Sequence, residues 1–96
     1  MKFDASIDAA TCDAIREIVE APGFPHRFGI IEAACPAEHE GRRGWLLWDY
    51  IYFSEHWFLP EDGSAPISLG QTVTDEIAAE EFEELRRTLG RPAERT

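Results

Sequence analysis

The pattern of residues along this 96-residue chain predicts an α+β fold: an N-terminal helix, a three- to four-stranded antiparallel sheet and a C-terminal helix, with both helices on one face of the sheet. Three observations carry that reading. Apolar residues recur at helical spacing near both ends, the middle is dense in aromatic and β-branched residues, and Gly and Pro mark the changes between the two. The length suits one small domain, taken as residues 1–90, with 91–96 as a flexible tail.

The first helix is expected over residues 6–21. Ile7, Ala10, Thr11, Ala14, Ile15 and Ile18 fall on one side of a 3.6-residue wheel, and Asp13, Arg16, Glu17 and Glu20 fall opposite. Ser6 is the expected cap and Pro22-Gly23 the stop. His26 to Cys35, with Phe28, Ile30 and Ile31, reads as a strand ended by Pro36, and residues 36–44 read as a polar, mobile loop.

Trp45 to Phe58 holds seven aromatic residues. This composition favours strand, but the run exceeds the usual 5–6 residues, which predicts strands over 45–53 and 56–60 with a turn near Ser54-Glu55-His56. Alternation puts Trp45, Leu47, Ile51, Phe53, Trp57 and Leu59 on one side, and Leu46, Trp48, Tyr50, Tyr52, His56 and Phe58 on the other. Pro60-Glu61-Asp62-Gly63 is a turn signal, and residues 65–69 read as a short fourth strand. In the last helix Ile77, Ala78, Phe82, Leu85 and Leu89 form an apolar stripe. Thr72 or Thr74 is its cap, Asp75 and Glu76 suit the positive end of its dipole, and Gly90 and Pro92 end it.

Charge is the strongest functional signal. The chain carries 19 acidic and 9 basic residues, for a net charge of -10. That balance opposes direct contact with nucleic acid or an anionic membrane, whose binding rests on Lys and Arg. No secretion signal or spanning segment is read, so a cytoplasmic location with Cys12 and Cys35 as free thiols is expected. Between Arg43 and Arg86 there are ten carboxylates and no Lys or Arg, which predicts one acidic patch. On the last helix Glu76, Glu80, Glu83 and Glu84 share a sector about 12 Å long, over which duplex DNA carries roughly seven charges. The helix supplies about half that density, so mimicry of a phosphate row needs Glu61, Asp62, Asp49 or a second subunit. The plain alternative is a solvated face.

With both helices on one side, the other face of the sheet is left to a partner or a twin subunit. Trp48, Tyr50 and Tyr52 are the expected contacts, since Trp and Tyr are enriched at binding hot spots. The plain reading here is core. No catalytic residue, metal or cofactor is assigned. Ser54, His56 and Asp49 supply the residue types of a triad without a framing motif, and Cys35, His39, His26 and His56 lack paired zinc-ligand spacing.

In size, charge and aromatic content alone, the chain resembles the small acidic inhibitors that phages and mobile elements encode, anti-CRISPR and anti-restriction proteins among them. The resemblance implies a non-enzymatic protein that inhibits a basic, nucleic-acid-binding partner such as a nuclease or nucleoprotein complex. Glu61, Asp62, Glu76, Glu80, Glu83 and Glu84 would supply charge, and Trp48, Tyr50 and Tyr52 contact. Two alternatives stand beside it: an immunity protein or antitoxin against a cationic toxin, and a housekeeping homodimer or small enzyme with a pocket near His56.

Overall fold

The computed structural model describes residues 1–91, and in it five strands form one mixed sheet in chain order, β1-β2-β3-β4-β5. The strands are β1 (Lys2–Phe3), β2 (Ile30–His39), β3 (Arg42–Tyr50), β4 (Ser54–Pro60) and β5 (Ile67–Thr72); the helices are α1 (Ala9–Val19) and α2 (Asp75–Leu89). The class is the expected α+β. The count differs by β1, which runs parallel to β2 and is too short to show a period. The other pairings are antiparallel.

Both helices start at side-chain caps. Asp8 accepts from Thr11 N at 2.7 Å and opens α1 three residues later than expected, because Ser6 is engaged with the Asp4 carboxylate. Thr74 Oγ1 accepts from Ile77 N at 3.4 Å and opens α2, and Asp75 and Glu76 complement its first turn.

The polar loop expected over 36–44 is instead a tight hairpin. Glu40 and Gly41 both have positive φ, +52° and +78°, the geometry that lets two residues join twisted strands. Pro36 sits inside β2 because its carbonyl faces away from β3 and accepts from Arg91 N at 2.9 Å, so no ladder donor is lost there. Arg91, assigned to the tail, is thereby fixed to the sheet, its Nε also donating to Ala37 O at 3.2 Å. The rest of that tail lies outside the described residues.

The helices do not share a face. Ile15 of α1 packs with Phe28, Ile31, Leu47 and Leu59, whereas Phe82 of α2 packs with Ala37, Leu46 and Phe58. Neighbours on one strand point to opposite sides, so Leu46/Leu47 and Phe58/Leu59 divide between two cores and the sheet is sandwiched. Glu32 is an extra residue in β2 between the Ile31↔Asp49 and Ala33↔Trp48 pairs, and this bulge brings Ala33 and Cys35 onto the α2 side. Among the described residues no helix is long and apolar enough to cross a membrane.

Candidate interaction surface

The ten carboxylates do not gather into the single patch the sequence predicts. Glu61 and Asp62 occupy the turn after β4 and border a cavity with Ala14, Glu17 and Ile18 of α1, on the face away from α2. Arg42 Nη2 lies 3.4 Å from Asp62 Oδ2, and Glu61 N donates to Arg43 O at 3.0 Å. On α2, Arg86 pairs with Glu83 at 2.7 Å and Arg87 with Glu84 at 3.2 Å. Among the described residues Asp75, Glu76 and Glu80 have no such partner, so the unquenched charge lies in the first half of α2.

Trp48 is not a surface contact. It lies half-buried beneath α2, its ring 6.5 Å from Phe82 and 6.2 Å from His56. His56 is fully buried and holds the helix to the sheet. The Ala78 carbonyl 2.8 Å from its Nε2 can only accept, so Nε2 carries a proton toward it, and Nδ1 lies 3.7 Å from Glu81 Oε2. Trp48 Nε1, Ser54 Oγ, His56 Nδ1 and Thr72 Oγ1 are all buried with no hydrogen-bond partner among the described residues, a polar layer under the first half of α2.

Neither chemical constellation forms. Asp49 pairs across the ladder with Glu55 on the α1 side, while His56 and Ser54 face α2, so the sheet separates the carboxylate from the other two. His26 packs against Trp57 on the α1 side, apart from Cys35, His39 and His56 on the α2 side, and among the described residues no group of three or more His, Cys, Asp or Glu is placed to hold a metal ion.

Tyr50 and Tyr52 do reach solvent, and they do so as part of a larger feature. The β3–β4 turn is Ile51-Tyr52-Phe53, with the three residues 51%, 88% and 39% exposed. Ser54 is paired with both Tyr50 and Thr72, so Val73, 89% exposed, follows β5 at the same end of the sheet. Ile77, placed in the apolar stripe by the sequence, lies in the first turn of α2 and is 47% exposed, and Ile30 stands opposite Tyr50. Aromatic and β-branched side chains from four elements thus converge on one tip.

Carboxylates lie at the same end of the sheet. Asp75 and Glu76 open α2, and the Glu32 carboxyl sits above its usual range because of partial burial first and the nearby Asp4 and Asp75 second. Asp49 lies at the base, 4% exposed, with Oδ1 accepting from Gly29 N at 2.9 Å. Burial pushes its pKa up to about 6 against the lowering effect of the Gly29 and Tyr50 amides, and Glu55 raises it further.

Sequence reasoning missed Ile51, Phe53, Val73 and Ile77. A turn without Gly, Asn, Asp or Pro reads as strand, so the break was placed three residues late. No family model, curated protein or solved structure matches the chain.

Proposed function

We propose that this protein is a non-enzymatic binding module that docks its tip, Tyr50 to Phe53 with Val73 and Ile77, onto a protein carrying an apolar groove bordered by Arg or Lys. The observation that supports it is the apolar turn held in solvent by a well-packed sheet, since contiguous exposed apolar residues with a polar rim mark association sites. Asp75, Glu76 and Glu80 would steer a cationic partner into place, and the apolar tip would hold it.

A nucleic-acid-binding surface on a nuclease or nucleoprotein complex meets that description, and inhibition by occupation is the activity that follows. The docking is apolar contact at a charged border rather than imitation of a long phosphate row, because Glu83 and Glu84 are neutralised and Glu61 and Asp62 lie elsewhere. An immunity protein facing a cationic toxin would use the same surface. A second copy is a poor occupant, since two acidic rims would meet. A small enzyme working at His56 is disfavoured by the burial of that ring beneath α2.

The test compares capture from host lysate by the native chain, by Tyr52→Ser/Val73→Ser and by Glu61→Lys/Asp62→Lys. The first variant should lose the captured protein and the second keep it, with capture falling as salt rises. If the tip variant retains the same protein at the same yield, the reading is wrong.

A further inference from the structure

We propose that the cavity at the base of the tip is a subsite for one cationic side chain, an arginine of the docking protein, received between the Asp49 and Glu55 carboxylates and the rings of Tyr52 and Phe53. This rests on the docking reading above and names what the partner must bring.

Asp49 and Glu55 stand directly opposite each other on β3 and β4. Like charges at opposed positions destabilise a sheet unless something lies between them. Among the described residues neither has a Lys, Arg or His within ion-pair distance; Asp49 is held by Gly29 N and Glu55 accepts from Ser68 Oγ at 2.6 Å. The facing groups that titrate are few. The Met1 ammonium weakly stabilises the Asp49 anion, and His26, packed on Phe28 and Trp57, has its own pKa lowered by burial against the pull of Glu55.

The cavity measures about 140 Å³ and is lined by Asp49, Ile51, Tyr52, Phe53 and Glu55. Drug-sized ligands occupy about 300–1,000 Å³, so this space is scaled to a side-chain head group. Carboxylate oxygens beside aromatic faces suit a guanidinium, which takes paired hydrogen bonds in its plane and stacks on rings. A divalent metal ion would need about six oxygen ligands, and the lining offers two carboxylates among apolar groups.

The experiment is an NMR titration of the labelled protein with acetyl-Gly-Arg-Gly-amide, using the peptide with citrulline, the neutral isostere of arginine, as the control. The arginine peptide should shift the Asp49 and Glu55 carboxyl and the Tyr52 and Phe53 ring signals, and the citrulline peptide should leave them in place. Binding should weaken about tenfold from pH 7.5 to pH 5 as Asp49 takes up its proton. Asp49→Asn, which keeps an acceptor for Gly29 N, and the less intrusive Glu55→Gln should each weaken it at least threefold. Equal response to both peptides, shifts elsewhere, or no response to arginine overturns the subsite. Loss of the subsite with capture still dependent on Tyr52 and Val73 leaves the docking surface standing, whereas the reverse result removes the docking surface alone.

Discussion

Asp49 keeps a carboxylate in a poorly hydrated position, and this has a thermodynamic consequence separate from binding. Its folded pKa of about 6 exceeds the 3.8 of an unperturbed carboxyl, so the folded state binds the proton more tightly than the unfolded chain does. Ionised burial therefore costs stability above pH 6, and that cost is relieved as pH falls from about 7 toward 4. Asp49→Asn should be more stable than the native chain at pH 8 by on the order of 1 kcal/mol, after discounting for solvent at the rim. The gap should shrink to about a third by pH 4.5 and close only below about pH 3.5, as read by urea unfolding at each pH. Asp4, Asp8 and Asp62 pull the other way: local hydrogen bonds lower each of them, so what they contribute is lost only at more acidic pH.

Secondary elements were the most legible part of the chain where a period ran long enough. α2 begins at its expected threonine and ends at Gly90, and the strand density of 45–60 is real. The side of the sheet each helix takes was misread, although the residues carried a signal. Trp45-Leu46-Leu47-Trp48 and Trp57-Phe58-Leu59 are continuous apolar runs, and such runs belong to strands covered on both faces. The tip was illegible for a different reason, since its turn is built from strand-forming residues held in place by ladder pairing on either side. Two positions test the hairpins. Gly44 has no room for a side chain, as a Cβ there would come 2.1 Å from Leu59 O, so Gly44→Ala should lower stability by at least about 2 kcal/mol. Glu40 holds a left-handed backbone that Asn adopts more readily, so Glu40→Asn should raise stability by about 0.5 kcal/mol, both changes being read by thermal unfolding.

At the scale of the molecule, acidity is divided between two ends with different surroundings. The end bearing Glu61 and Asp62 is braced by Arg42 and the backbone of Arg43, whereas the end bearing Asp75 and Glu76 carries the apolar tip. Glu76→Lys/Glu80→Lys should therefore slow association with a cationic partner and flatten its dependence on ionic strength, while Glu61→Lys/Asp62→Lys leaves both unchanged in stopped-flow measurements. The margins of the sheet complete the picture. On the β5 side an extra residue at Leu69 and a φ of +134° at Gly70 put a crook in the outermost strand. Beyond the two-residue β1, the β2 side carries a proline and is closed by the Gly90 bridge and the Arg91 amide. With neither margin offering a straight run of free amides, the molecule is protected against stacking into filaments, and crowded solutions should hold discrete particles rather than growing fibres.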